Sequence, residues 1–213
     1  MIKRIIAATL LLASGSAFTA ESMPGFYIRG DAGVAKQINK IRGSGPFIDN
    51  TKFKSAPVLG IGAGYRFTER FRAELNFANR HLKYKGSDTD SIVTQKTKSY
   101  SVLLNGYYDF KNNSIFTPYV TAGFGISRNV AKNALVDLTP VDAIYKGIST
   151  NNFAWNAGLG TKLKLNNKFD LDLGYKYVSM GKIKIGLGNG GELPGQPKKY
   201  KFHEVTLGVA YNF

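Results

Sequence analysis

Period-two alternation of apolar and polar residues runs through most of the chain and constrains its fold more than any other feature. The stretch VTLGVAYNF places Val205, Leu207, Val209, Tyr211 and Phe213 on one face and small or polar residues on the other. Successive side chains of a strand point to opposite faces, so this pattern predicts a strand with one apolar face. The pattern occurs over eight runs: 25–36, 56–67, 70–82, 99–110, 117–127, 152–165, 169–178 and 201–213.

The connections between these runs alternate in length. Three are short and contain ordinary turn residues: TER at 68–70, KNNSIF at 111–116 and NNK at 166–168. The others are long and rich in Gly, Ser, Asn, Asp and Lys: 37–55, 83–98, 128–151 and 179–200. This alternation is typical of outer-membrane barrels, and spanning strands must close because lipid offers the backbone no hydrogen bonds. The sequence therefore predicts an all-β fold, an eight-stranded antiparallel up-and-down transmembrane β-barrel.

Aromatic residues cluster at the ends of the apolar faces, whereas the middles hold Leu, Val, Ile and Ala. The clusters are Tyr65 and Phe67, Tyr108 and Phe110, Phe153 and Trp155, Tyr175 and Tyr177, and Tyr211 and Phe213. Tyr and Trp are favoured at the boundary between water and lipid. The alternatives, a periplasmic β-sandwich or a lipocalin-like soluble barrel, need no such banding. The banding therefore favours apolar faces that contact lipid.

The first twenty residues, MIKRIIAATLLLASGSAFTA, differ from the rest of the chain. Lys3 and Arg4 precede the apolar stretch 5–13, and small residues follow it. This layout is typical of a secretory signal peptide, and the apolar stretch is too short for a transmembrane helix. We expect residues 1–20 to be a signal peptide, cleaved between 17 and 22, and residues 21–213 to form the barrel. A soluble N-terminal helix is the alternative, but the stretch has no polar face.

The polar faces of the predicted strands carry charges of both signs. An eight-stranded barrel is just wide enough for side chains to fill it, and an unpaired buried charge is costly. We therefore interpret these charges as interior ion pairs that fill the lumen; a charged pore lining is the alternative. The set comprises Arg29, Asp31, Arg66, Arg72, Glu74, Asp109, Lys162, Asp170, Asp172, Lys176 and Glu204, with Arg80 and Lys164 on the same faces.

The formal net charge of +15 predicts partners that are polyanions. Because the strand charges nearly balance, the surplus falls on the long connections. Export removes nucleic acid as a partner and leaves two interpretations: anionic lipopolysaccharide phosphates of the outer-membrane lipid, or an acidic host glycan or surface protein. The candidate binding patch comprises Lys182, Lys184, Lys198, Lys199, Lys201, Lys40 and Arg42.

Catalytic and metal-binding patterns are sparse. The chain has no cysteine and two histidines. A hydrolytic site needs a His base beside a nucleophile and an orienting acid. His81 has no such partner in the sequence, and His203 and Glu204 point to opposite faces of a strand. We expect no enzyme activity, no cofactor and no metal.

Four stretches carry a family resemblance: FYIRGDAGVA, VLGIGAGYRFTERFRAEL, TPYVTAGFGI and LGVAYNF. Over residues 25–213 the chain resembles the eight-stranded OmpA-like or opacity-type outer-membrane barrels, and most of all the small basic surface adhesins of rickettsia-like bacteria. The resemblance implies an outer-membrane location and adhesion to host cells or serum proteins. A small porin and a purely structural barrel are the alternatives. Val209, Tyr211 and Phe213 resemble the C-terminal signal read by the barrel-assembly machinery, and we expect a monomer.

Overall fold

The computed structural model describes residues 24–38, 55–88, 91–131, 134–138, 143–145, 149–182 and 200–213. Among these residues no helix is long and apolar enough to cross a membrane. The strands are β1 (Gly25–Gln37), β2 (Ala56–Arg66), β3 (Phe71–Asp88), β4 (Ser91–Asp109), β5 (Phe116–Ala131), β6 (Ala134–Leu138), β7 (Ala143–Tyr145), β8 (Ser149–Lys164), β9 (Phe169–Ser179) and β10 (Lys201–Asn212).

Eight of these strands close into an antiparallel barrel in the order β1-β2-β3-β4-β5-β8-β9-β10. The closing ladder joins β1 to β10, from Tyr27 opposite Asn212 to Gln37 opposite Phe202. Closure pairs the edges of the sheet with each other, so the barrel wall has no free edge. The predicted fold class, an eight-stranded up-and-down barrel, is confirmed.

The short turns form where the sequence predicts them, and local side-chain hydrogen bonds explain why. Thr68 Oγ1 accepts hydrogen bonds from the backbone N–H groups of Arg70 and Phe71. Asn166 Oδ1 accepts in the same way from Lys168 and Phe169. Such bonds give Thr and Asn their preference for tight turns. The end of the barrel that carries these turns is called the short-turn end, and the opposite end the long-connection end.

Two predicted loops contain strands instead. β3 and β4 stay paired as far as Asp88 opposite Ser91, so the prediction of a loop over 83–98 is wrong. The predicted loop 128–151 is wrong in part, because β6 pairs with β4 and β7 pairs with β6 within it. These strands extend the sheet beyond the barrel. β6 and β7 have five and three residues, too few for alternation to indicate a spanning strand, and the extension of β3 has the polar sequence KYKGSD.

The outer face of the barrel is apolar and the inner face is packed. Phe26, Leu59, Leu75, Phe124 and Leu207 point outward, and each has at least 53 % of its surface exposed. Water-exposed surfaces of soluble proteins rarely carry apolar patches of this extent. A soluble barrel would place these residues inside, so that alternative is wrong. The outer face is the surface that contacts lipid.

Aromatic rings form a girdle at each end of this apolar surface. At the long-connection end, Phe77 stacks on Tyr100 with centroids 6.3 Å apart, and Trp155 lies 5.4 Å from Tyr177. Two such girdles flanking an apolar band are typical of outer-membrane barrels. At the short-turn end, ring centroids lie 4.8–5.2 Å apart in Phe26–Tyr65, Tyr65–Phe67, Phe71–Tyr108, Tyr108–Phe110, Phe169–Tyr211 and Tyr211–Phe213.

Candidate functional site

Arg29 is the centre of an ion-pair network in the barrel lumen. Its Nη2 lies 2.9 Å from Glu74 Oε1, its Nη1 lies 3.5 Å from Asp172 Oδ1, and its Nε lies 3.6 Å from Asp31 Oδ2. These side chains come from β1, β3 and β9, and each is at most 7 % exposed. Paired and hydrogen-bonded charges are the form in which buried ions are tolerated. One guanidinium therefore neutralises carboxylates from three strands across the lumen.

A second layer of charges lies nearer the short-turn end. Asp109 Oδ2 is 3.2 Å from Arg72 Nε and 2.6 Å from Lys162 Nζ. The Arg72 guanidinium also lies 3.8 Å from the centroid of the Tyr107 ring, a favourable cation–π distance. Because Asp109 holds two cations at once, this layer ties β3, β4 and β8 together across the lumen.

The buried charges of the lumen balance, while Lys164 lies on the same inward face and is only half-buried. All the residues predicted as interior ion pairs lie at inward positions, although Lys176 forms no ion pair with any residue that the structure describes. Electroneutrality limits the cost of burying so many charges in a narrow lumen. The buried cations are Arg29, Arg66, Arg72, Arg80, Lys162 and Lys176, and the carboxylates are Asp31, Glu74, Asp109, Asp170, Asp172 and Glu204.

An apolar layer covers this network on its long-connection side. Val58, Ala78, Leu103, Ala154 and Val178 point inward and are each at most 4 % exposed. The sequence pattern predicts small and polar residues on the inward face and does not indicate this layer. Strand alternation could have indicated the layer, because Leu103 lies between Ser101 and Asn105, two polar residues that point inward. An apolar constriction excludes water and ions from a pore. The layer therefore separates the ion-pair network from the long-connection end.

A separate ion pair lies among the residues of the apolar layer, where Arg80 is directly opposite Val58. Arg80 on β3 and Glu204 on β10 face each other across the lumen, and Arg80 Nη2 donates a hydrogen bond to Glu204 Oε2 at 3.0 Å. Arg80 Nη1 also donates to Ser101 Oγ at 2.9 Å. The planar guanidinium fork suits such two-pronged pairing. This pair braces the barrel near its long-connection end.

The chain after β9 bends over the mouth of the lumen. The Met180 carbonyl accepts hydrogen bonds from Ser127 Oγ at 2.7 Å and from Asn129 Nδ2 at 2.9 Å, both on β5. Gly181 has φ 73°, a conformation that favours glycine. The side chains of Met180 and Phe202 are fully buried beneath this bend. Met180 and Phe202 therefore close the lumen at its long-connection end.

The structure describes two residues of the predicted basic patch. Lys182 is exposed, and its carbonyl accepts a hydrogen bond from Thr150 Oγ1 at 3.1 Å. Lys201 begins β10, and its Nζ lies 5.9 Å from the centroid of the Tyr177 ring. Both belong to the long-connection end. The other predicted patch residues lie outside the described residues: Lys40, Arg42, Lys184, Lys198 and Lys199.

Val209, Tyr211 and Phe213 share the lipid-facing side of the closing strand. Phe213 is 77 % exposed, and its backbone N–H donates to the carbonyl of Phe26 at 3.1 Å. Its ring lies 5.0 Å from that of Tyr211 in the short-turn girdle. The three side chains therefore form one apolar surface beside the start of β1.

The histidines lie on the outer face and do not form a catalytic arrangement within the described chain. His203 Nδ1 is 2.5 Å from Tyr175 Oη, whereas Glu204 points into the lumen. His81 is exposed at the long-connection end. The described residues contain no group of three or more His, Asp or Glu side chains that would hold a metal ion.

A closed and filled barrel with an apolar outer face between two aromatic girdles defines an integral outer-membrane β-barrel protein. The chain belongs to the outer membrane protein beta-barrel domain family, whose family model matches residues 5–213. Its location is therefore the outer membrane, with the long-connection end facing outside the cell.

Individual relatives agree with this assignment. The chain is 28 % identical to the outer membrane protein PagN of Salmonella typhimurium, over 92 % of each chain. It is also 28 % identical to a Rickettsia bellii protein named as a candidate adhesin, over 98 % of this chain and 97 % of that one. Neisserial surface protein A is similar in structure, with a TM-score of 0.55, 25 % identity and coverage of 89 % and 97 %. The attachment invasion locus protein Ail of Yersinia pestis shares the fold, with a TM-score of 0.52, 17 % identity and coverage of 90 % and 100 %.

Proposed function

We propose that this protein is a surface adhesin whose basic extracellular end binds acidic groups on host cells, either a glycan or a surface protein. One observation carries the proposal. Among strand side chains that the structure describes, the outward-facing charged ones are all basic and all lie at the extracellular end: Lys36, Lys98, Arg128 and Lys201. A surface of a single sign attracts partners of the opposite sign.

The filled lumen supports the same proposal over a porin. The apolar layer around Leu103 and the bend at Met180 obstruct the route through the barrel, so the outside of the molecule is left to carry the function. The R. bellii relative named as a candidate adhesin matches almost the whole chain, which also favours adhesion. We assign no catalytic activity to this barrel.

The test is a charge reversal at the extracellular end. The variant Lys182→Glu/Lys201→Glu should bind heparin-like sulfated glycan at least about tenfold more weakly, the change that roughly 1.4 kcal/mol produces. Attachment of cells displaying the barrel to host cells should fall in parallel. The control Lys111→Glu/Lys168→Glu changes the same charge in the short turns and should bind like wild type. Equal binding by both variants would overturn the proposal.

A second pair of variants compares how much two of the long connections contribute to glycan binding. Lys184→Glu/Lys198→Glu/Lys199→Glu alters the connection between β9 and β10, and Lys40→Glu/Arg42→Glu alters that between β1 and β2. If charge carries the binding, both should weaken it, and raising the salt concentration should remove the difference from wild type. Weakening that persists in high salt would indicate a contact other than charge.

We also propose that residues 1–20 are an export signal and that residues 21–213 function as a monomeric barrel inserted by the assembly machinery. The layout of the first twenty residues supports this. Mass spectrometry of the protein isolated from outer membranes should find an N-terminus between residues 18 and 23. A mature chain that retains Met1 would contradict it.

A further inference from the structure

Three basic side chains lie together on the outer surface of neighbouring strands. His81, Lys98 and Arg128 belong to β3, β4 and β5 and are called the β3–β5 cluster. His81 is directly opposite Lys98, while Lys98 is opposite Val130 and Arg128 is opposite Tyr100. Lys98 and Arg128 are therefore diagonal neighbours on one face. Directly opposite residues have Cβ atoms about 5 Å apart and diagonal ones roughly 7–8 Å. All three side chains can thus reach one small anion.

The cluster lies one step beyond the aromatic girdle. Tyr100, two residues from Lys98 on β4, stacks on Phe77 of β3. Ile126, two residues from Arg128 on β5, and Val102 belong to the apolar band. Two residues of strand span about 6–7 Å. Aromatic girdles mark the level of lipid headgroups. The cluster is therefore at the height of the headgroup phosphates of the outer leaflet.

The charge of the cluster is not balanced by the described part of the protein. No described carboxylate lies within 4 Å of Lys98 or Arg128, whereas the buried cations of the lumen are matched by carboxylates in equal number. Two like charges at diagonal positions repel each other, and an anion between them removes that repulsion. The arrangement is therefore suited to an anion supplied from outside the chain.

We propose that the β3–β5 cluster binds a phosphorylated lipid headgroup of the outer leaflet. The Arg128 guanidinium can hold two phosphate oxygens at once, Lys98 adds a point charge, and His81 offers a ring N–H. The apolar band directly beneath the cluster contacts the acyl chains of the same molecule. That combination selects a lipid over a free phosphate or a glycan, since neither of those brings acyl chains.

The site differs from the rest of the basic extracellular end in its position, because it uses side chains of the barrel wall at membrane level. The side of the barrel formed by β9 and β10 carries basic residues at a similar height, but there tyrosine rings already contact them. His203 contacts Tyr175, and Lys201 lies over Tyr177. The β3–β5 cluster has no such partner among the described residues.

The experiment titrates the refolded mature barrel in zwitterionic micelles with bisphosphorylated lipid A and counts bound lipid by native mass spectrometry. Wild type should bind one lipid A at this site. Lys98→Gln/Arg128→Gln should bind it at least about tenfold more weakly, and Lys98→Arg, which keeps both charges and the Arg128 guanidinium, should keep the affinity. The control Lys111→Gln/Lys168→Gln removes the same charge from the short turns and should bind like wild type.

Two further probes identify the ligand. Dephosphorylated lipid A should not bind at this site, and inorganic phosphate at equal concentration should not displace lipid A. Unchanged binding by Lys98→Gln/Arg128→Gln, or equal binding of the dephosphorylated lipid, would overturn the proposal. Displacement by inorganic phosphate would replace the lipid with a free-anion site and would overturn it as well.

One comparison separates this site from the rest of the basic extracellular end. Lys182→Glu/Lys201→Glu changes no residue of the β3–β5 cluster, so it should weaken binding to heparin-like glycan and keep wild-type lipid A binding. Folding of each variant is checked by the faster migration of the unheated barrel in detergent gels. Loss of lipid A binding in folded Lys182→Glu/Lys201→Glu would show that lipid binding is not confined to the β3–β5 cluster, and would overturn the assignment of the site.

Discussion

The ring of Tyr119 lies over Gly160 on the neighbouring strand, and a Cβ atom at position 160 would stand 2.4 Å from the Cζ atom of that ring. The two residues are directly opposite in the ladder between β5 and β8. Because Gly160 has no side chain, the Tyr119 hydroxyl reaches across and donates to Asp172 Oδ1 at 2.9 Å. The glycine therefore allows a tyrosine to join the ion-pair network.

Replacing that glycine should destabilise the barrel. Gly160→Ala forces the Tyr119 ring to move, and we expect the free energy of unfolding to fall by about 1–3 kcal/mol, the usual cost of overpacking. Gly64→Ala should act likewise, because its Cβ would lie 2.3 Å from the Tyr27 ring. Urea unfolding in micelles measures the change.

Gly106→Ala is the matched control for these variants. Its Cβ would come no closer than 3.9 Å to any other group, so we expect a change within about 0.5 kcal/mol. If Gly160→Ala behaves like Gly106→Ala, the ring does not need the space that the glycine provides.

The buried ion pair of Arg80 and Glu204 should contribute more to the free energy of unfolding than the exposed pair of Lys111 and Glu69 on a turn. Glu204→Ala leaves the Arg80 guanidinium buried without its carboxylate, and we expect a loss of about 3 kcal/mol in the free energy of unfolding. The control, Glu69→Ala, removes the exposed partner of Lys111 and should cost less than about 1 kcal/mol. Similar losses in the two variants would show that burial does not set the cost.

The wild-type barrel should not conduct ions in steps. The apolar layer around Leu103 and the buried side chains of Met180 and Phe202 obstruct the lumen, so planar-bilayer recordings should show no discrete conductance above the protein-free detergent control. Stable, reproducible steps would mean that this layer opens, and would favour the porin alternative.

The outward aromatic residue at position 213 should be needed for insertion. Deleting Phe213 removes a lipid-facing ring and a backbone hydrogen bond to Phe26, so we expect less folded barrel in outer-membrane fractions with unchanged export. The control Phe110→Ala removes another ring of the same girdle, away from the closing ladder. Equal insertion of the two variants would argue against a specific role for Phe213.

Alternation predicted the wall of the barrel because every second side chain of a spanning strand contacts lipid and must be apolar. Two segments follow this rule: Phe26 to Val34 on β1, and Val205 to Phe213 at the end of the chain. The sequence alone therefore predicted which of their side chains contact lipid and which point inward. Beyond the lipid the rule no longer applies. The paired stretch ending at Asp88 and Ser91 has no apolar side, and its pairing depends on contacts that a single sequence does not reveal.

The sequence predicted which charged side chains point into the lumen, but it did not predict which of them form ion pairs with each other. Inward positions for Arg29, Asp172 and Glu204 follow from strand register alone. Which carboxylate meets which cation depends on the stagger between strands, and Arg80 finds Glu204 across the lumen from a strand that is not its neighbour. The cap formed by Met180 was missed because it depends on a bend at Gly181 outside any repeating pattern.

The ladder between β1 and β10 joins the two barrel strands that are farthest apart along the chain. Contacts with so great a sequence separation form slowly, because the intervening chain must first be ordered. Until β10 arrives, β1 offers an unsatisfied row of amide and carbonyl groups to any other extended chain nearby. While it crosses the periplasm, before β10 has paired with β1, the unfolded chain is therefore most prone to aggregate and most dependent on chaperones.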